Sequence, residues 1–152
     1  MPPTLRADAN LLEATLRQFP RHIRVAVEPR HASWWATTHG DASQGEALRA
    51  VLEKYDAALV WADRLGRPQG PLWRTASWGY LRLHEGAATP RPRYGRTALE
   101  TWVRRIADAY GPDRDVYVYF NNDPGCAAVA DATALGRIAR RRGLPVTRFP
   151  GA

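Results

Sequence analysis

Apolar and polar positions along the chain switch repeatedly between a period near four and a period of two, which predicts alternating helices and strands. A helix over 9–19 carries Leu12, Leu16 and Phe19 on one face, with Asp8 as its N-cap and Pro20 as its stop. A strand follows over 22–28. Leu48, Val51, Leu52 and Tyr55 form the stripe of a second helix over 44–56, opened by a Ser43-Gln44-Gly45-Glu46 capping box. The second strand is 58–63. A loop rich in Gly, Pro and Arg leads to a third strand, 77–84. A third helix over 98–110 begins at a Thr97-Ala98-Leu99-Glu100 capping box, buries Leu99, Trp102, Val103 and Ile106, and stops at Gly111. The fourth strand is 115–120. A last helix, 126–142, turns Ala128, Ala132, Leu135 and Ala139 inward and ends before Gly143 and Pro145.

Strands that alternate with helices demand parallel pairing and right-handed crossovers. The predicted class is α/β: four βα units, the number found in half of a TIM-type (βα)8 barrel. A full barrel needs about 250 residues; this chain has 152 and begins on a helix with no preceding strand. The expectation is one partial-barrel domain. Two open edge strands and an inward face bearing Trp61, Tyr80, Tyr117 and Tyr119 would meet water, so a homodimer is expected to cover them.

Strand parity carries the chemistry. Arg24, Ala26 and Glu28 oppose Ile23, Val25 and Val27. Tyr80, Arg82 and His84 oppose Leu81 and Leu83. Tyr117, Tyr119 and Asn121 oppose Val116, Val118 and Phe120. The aliphatic faces pack under helices, which leaves aromatic and polar faces pointing inward. Polar groups also gather where strands stop: Glu28-Pro29-Arg30-His31, Asp63, His84-Glu85 and Asn121-Asn122-Asp123. Parallel strands put these ends on one side, where α/β folds bind ligands. Glu28, Asp63 and His84 are the candidate catalytic acids and bases. Arg30, His31 and Arg82 suit an anion, Asn121 and Asn122 position a substrate, and Tyr94 and Tyr119 offer stacking faces. The alternative is a satisfied internal network, with Glu28 on Arg82 and His84 on Asp63. Glu28, Asp63 and His84 are also metal-ligand types, but their spacing matches no metal motif, and no metal is expected. No Gly-rich phosphate fingerprint or nucleophile elbow is present, so no cofactor is expected.

The net charge of +7 changes the picture of partners. It suits an anionic small molecule or a nucleic acid. The loop Arg91-Pro92-Arg93-Tyr94-Gly95-Arg96 combines cations with an aromatic. Against this, Lys54 is the only lysine, so arginine is also filling ordinary surface positions. Arg140-Arg141-Arg142 complements the dipole at a helix C-terminus. Trp34-Trp35 reads as a lid over the core. The single cysteine, Cys126, excludes an internal disulfide. No apolar run spans a bilayer and no signal peptide opens the chain, so a cytoplasmic protein without a membrane partner is expected.

The stretches Val25-Ala26-Val27-Glu28-Pro29-Arg30-His31 with Ser33-Trp34, Asp63, Tyr80-Leu81-Arg82-Leu83-His84, Tyr94, and Val116-Tyr117-Val118-Tyr119-Phe120-Asn121-Asn122-Asp123 with Gly125 and Ala128 resemble, in this order, the YecE-like family. That family is a TIM-barrel domain of unknown function, number 72. The resemblance implies the barrel fold, and it matches the C-terminal half. It implies no reaction. Pro29 replaces a usual aromatic, Glu85 intervenes before Gly86, and Asp131 stands where the family has asparagine. Met1-Pro2-Pro3 resembles the end of the family's middle strand, which implies a shortened gene or a late start. Three readings follow. One is a hydrolase-type enzyme domain acting by acid–base chemistry on an anionic or phosphate-bearing substrate. Another is a nucleic-acid-binding or nuclease-like module using Arg91, Arg93, Tyr94 and Arg96. The third is an inactive truncated remnant.

Overall fold

The computed structural model describes residues 1–35 and 43–150. Two compact units divide the chain: Met1–Trp61 with Gln69–Tyr80, and Ala62–Pro68 with Leu81–Ala152.

In the first unit, helix α1 is Ala9–Leu16 and Asp8 caps it, accepting from the Leu11 amide at 2.9 Å. The helix ends three residues before the expected Phe19, which is 44% exposed. A residue before proline disfavours the helical region, so the backbone unwinds ahead of Pro20. Strand β1 is only Ala26–Val27. The expected strand from 22 is replaced at its start by a turn closed by the Ile23 amide on the Pro20 carbonyl, which leaves Ile23 at the surface. Helix α2 is Ser43–Lys54, and the Ser43 side chain expected to cap it lies outside the described set. Strand β2, Ala58–Leu59, pairs parallel with β1 in the register Ala26 to Ala58. Leu12, Leu16, Val27, Trp34, Leu48 and Leu52 form the core of this unit. Trp34 is fully inside it, its indole N–H donating to the Leu5 carbonyl at 3.0 Å. Trp61, expected to meet water, is buried and donates to the Trp73 carbonyl.

Strand β3, Trp61–Arg64, continues from β2 and turns back into β4, Arg67–Pro68. This antiparallel hairpin, with Asp63 opposite Pro68, replaces part of the expected loop. Its two turn residues, Leu65 and Gly66, both have positive φ, the geometry of the tight hairpin turns that suit strand twist. A leucine disfavours that region, and local bonds hold it. The Leu65 amide donates to the Glu85 carbonyl at 2.6 Å, and the Gly66 amide donates to an Asp63 carboxylate oxygen at 3.1 Å.

Strand β5, Gly79–Glu85, and strand β6, Val116–Phe120, complete a four-stranded sheet in the order β4-β3-β5-β6. Helix α3, Arg96–Tyr110, connects them, as a crossover must. It starts at Arg96, two residues before the expected helix start at Ala98, and the expected capping box does not form; Glu100 pairs instead with Arg96 at 2.7 Å. Gly111 ends it with positive φ, as expected. Helix α4 is Ala127–Arg141. Its buried positions are Ala127, Asp131, Leu135, Gly136, Ile138 and Ala139, so a carboxylate sits on the apolar stripe. Among the described residues, no helix is long and apolar enough to cross a membrane.

Gly86 marks the tightest backbone approach in the second unit. A Cβ placed there would lie 1.9 Å from the Arg93 carbonyl oxygen. Gly86→Ala must therefore push the 86–93 loop apart. It should destabilise the protein by about 1–3 kcal/mol, the usual range for overpacking, as measured by urea unfolding. A wild-type midpoint would show that the loop moves freely.

Candidate functional site

In the second unit the expected site residues divide into two sets, one buried and one facing solvent. The buried set centres on Asp131. One of its carboxylate oxygens accepts from the Arg93 guanidinium at 2.9 Å. The other accepts from the Tyr94 amide at 2.8 Å and from the Asn122 side-chain amide at 2.8 Å. Asn122 also donates to the Pro92 carbonyl at 3.0 Å. Tyr94 then carries the network onward. Its hydroxyl donates to the Asp63 carboxylate at 2.8 Å and accepts from the Glu85 amide at 3.2 Å. Asp63 and Asp131 are both wholly buried. Two acceptors in this cluster, Asp63 Oδ2 and Asn122 Oδ1, have no hydrogen-bond partner among the described residues.

This placement changes the expected role of the 91–96 loop. Tyr94 is 3% exposed and stands edge-on to Phe120, with ring centroids 5.9 Å apart, so it offers no stacking face. Arg93 is held by Asp131 and Arg96 by Glu100. The loop's aromatic and Arg93 are therefore drawn into the interior, whereas Arg96 keeps a 78% exposed side chain in a surface pair with Glu100. Asp131, noted in the sequence only as a departure from the family's asparagine, was given no site role, although its signal was present: it lies four residues from both Ala127 and Leu135, on the stripe that α4 buries.

The solvent-facing set lies on β5 and β6. Along β5, Leu81 and Leu83 are buried while Arg82 and His84 are half-buried. Along β6, Tyr117 and Tyr119 are 40% and 49% exposed, while Val116, Val118 and Phe120 alternate with them and are more covered. The Arg82 guanidinium donates to the Asn121 side-chain oxygen through Nε at 3.3 Å and Nη2 at 3.2 Å. That double contact puts Arg82 and Asn121 on the same side of two neighbouring strands. By alternation His84, Tyr117 and Tyr119 share it. The arrangement presents a guanidinium, an imidazole and two phenol rings to solvent.

The remaining expected residues belong to the first unit. Glu28 accepts from Arg30 at 3.3 Å. His31 opens the short 3-10 turn Ala32–Trp34, its Nδ1 accepting from the Ser33 amide at 3.1 Å and lying 2.8 Å from the Ser33 hydroxyl. Ser33 in turn accepts from the Ala7 amide, which leaves its hydroxyl proton for Nδ1. His31 is thus a local cap. Among the described residues, no three His, Cys, Asp or Glu side chains gather to hold a metal. A groove of about 880 Å³ is lined by all of β6, Tyr117 and Tyr119 included, by residues of α3 and α4, and by the tail at Leu144–Pro150. It contains none of the expected site residues apart from Tyr119.

Comparison with known proteins fits this geometry. The family described as "Protein of unknown function DUF72" matches residues 1–151. The chain belongs to this family. It is the one that the strand-end motifs resemble. A crystal structure of a DUF72 family protein from Enterococcus faecalis is similar, with a TM-score of 0.74 at 16% identity, over 97% of this chain and 58% of that one. A DUF72 family protein from Thermotoga maritima gives 0.70 at 20% identity, over 94% and 55%. At such identities the likeness is one of fold. The chain spans a little over half the length of these DUF72 structures. No curated protein matches it in sequence.

The buried Tyr94 hydroxyl gives a pH signature. Burial, and then the neighbouring Asp63 carboxylate, push its pKa far above the ordinary value. The native state holds this proton more tightly than the unfolded chain does. Its contribution to stability is therefore complete below about pH 10, the ordinary tyrosine value, and is lost as pH rises above it. In a spectrophotometric titration, the Tyr94 hydroxyl should ionise only when the protein unfolds, so the wild type shows one more late-ionising tyrosine than Tyr94→Phe. Tyr94→Phe should remove that late step and cost about 1–3 kcal/mol, because Asp63 loses its donor. Early ionisation of all six tyrosines would contradict the placement.

Proposed function

We propose that the β5–β6 face binds a phosphate-bearing ligand, and that the protein is a hydrolase-type enzyme domain working by acid–base chemistry. The observation that carries this reading is the Arg82–Asn121 contact. It holds a guanidinium on an open face with two bonds to one oxygen, which fixes the plane of the fork that an anion would meet. His84 lies two residues along the same face and is the proton-transfer group of the proposal. Tyr119 flanks the ligand. Asn122 and Tyr94 act through position, since both are buried. Asp63 has no route to a ligand and is assigned the same supporting role. Glu28, Arg30 and His31 are given no step. We further propose that the βα units are part of a (βα)8 barrel and that strand-end residues face its ligand, as such folds arrange them. Self-association through the edge strands is proposed on the same sheet order.

Phosphorus NMR with inorganic phosphate tests binding, and hydrolysis of aryl phosphate mono- and diesters tests turnover. Arg82→Gln should weaken phosphate binding by roughly 10-fold or more, the worth of a hydrogen bond to a charged group. His84→Ala should lower kcat by about 10²–10⁴-fold with little change in KM. Phosphate binding that ignores Arg82, or turnover that ignores His84, would refute the assignment.

A further inference from the structure

We propose that Leu65, in the turn of the β3–β4 hairpin, is a specificity-determining residue of the phosphate site, and that the ligand is the phosphate ester of an apolar, ring-bearing group. The inference rests on the phosphate-binding reading above and names the substrate class. It starts from a cost in the backbone. Leu65 has a φ of +56° and Gly66 follows at +75°. In this left-handed region the Cβ of an L-residue is crowded against the following carbonyl. Asn-Gly or Gly-Gly closes the same turn without that crowding. A leucine would repay the fold by burying its side chain, yet Leu65 is 39% exposed. A Cβ placed on Gly66 would meet nothing within 4 Å, so the turn projects clear of the packed protein. The leucine is thus strained and open to solvent at once, which suits a contact with something outside the chain.

The hairpin is pinned beside the proposed site. The Leu65 amide donates to the Glu85 carbonyl at 2.6 Å, the Gly66 amide donates to the Asp63 carboxylate at 3.1 Å, and Arg64 pairs with Glu85 at 3.2 Å. Asp63 is itself held by the Tyr94 hydroxyl. Glu85 follows His84 directly, so the first of these bonds brings the Leu65 amide within about 9 Å of the His84 Cα. One small molecule can touch both residues. The contact also lies where β3 and β5, neighbours in the sheet, reach their carboxyl ends, the side on which α/β folds bind ligands. The charge of Arg64 is matched by Glu85, so what the turn adds is apolar surface. Free phosphate has no use for a leucine. A phosphate that carries a ring places its oxygens on Arg82 and its apolar part on Leu65.

The test is calorimetric titration of the full 152-residue chain with phenylphosphonate and methylphosphonate, which keep the anion and resist hydrolysis. Phenylphosphonate should bind about 4-fold tighter or more, the worth of one buried methylene upward. Leu65→Asn should bring that ratio towards one by weakening phenylphosphonate. The same variant should raise the melting temperature by about 2–4 °C, because asparagine accepts the turn geometry that strains leucine. Leu65→Met keeps an apolar side chain and should keep the preference. A leucine with a purely structural role would give the opposite pattern: Leu65→Asn would melt earlier and weaken both phosphonates alike. That pattern, equal affinities in the wild type, or a preference that survives Leu65→Asn would each overturn the assignment. If Arg82→Gln weakens both phosphonates while Leu65→Asn alters neither, the Leu65 assignment fails and the phosphate reading stands. If neither phosphonate binds, both fail.

Discussion

A single buried carboxylate organises the second unit. Asp131 takes three donors from three places: the side chain of Arg93, the backbone of Tyr94 and the side chain of Asn122. A carboxylate removed from water is costly unless its oxygens are hydrogen-bonded, so these donors are not interchangeable decoration. The Arg93 contact is more than a third exposed on the arginine side and is weakened by solvent. The amide donors of Tyr94 and Asn122 are buried and contribute more. Through them α4 is bonded to the 86–95 loop and to the end of β6. Tyr94 then extends the chain of bonds to Asp63 and the Leu65–Gly66 turn.

The consequence reaches the surface. Asn122 is fixed inside, so Asn121, the next residue back, is set at the end of β6 and meets Arg82. One asparagine anchors and its neighbour presents. The same division runs through the sheet. Leu81 and Leu83 face inward while Arg82 and His84 face outward, and Phe120 packs on Tyr94 while Tyr119 stays open. The buried network therefore supplies rigidity to an exposed face that has the chemistry for an anion. Such supporting bonds are what hold a binding residue in one orientation.

Most of this was legible in the sequence where periodicity is strong. The helices around Leu48–Leu52 and Leu99–Ile106, the alternation 79–85 and 116–120, and the strand-end motifs all emerge from spacing alone. What spacing missed has physical reasons. A two-residue hairpin built on Leu65-Gly66 lacks the Asn-Gly signature, because side-chain and backbone bonds, rather than propensity, hold its turn. The strand from 22 was overextended because a proline-opened turn outcompetes alternating side chains. Glu100 was read as a cap when Arg96 was its nearer partner. Tyr94 was read as a surface aromatic among arginines, since no local pattern tells a solvated loop from one drawn inward by a distant carboxylate. Which polar strand-end residues are buried and which presented depends on that same tertiary contact.

The central claim is that a rigid, solvent-facing patch of β5 and β6 receives the ligand. Amide chemical-shift mapping by NMR on titration with inorganic phosphate tests it most directly. The account predicts shifts concentrated at residues 82–84 and 117–121, with Tyr94 and the α4 stripe around Asp131 responding little. Shifts confined to the arginines 140–142, or spread evenly over the basic surface, would contradict it.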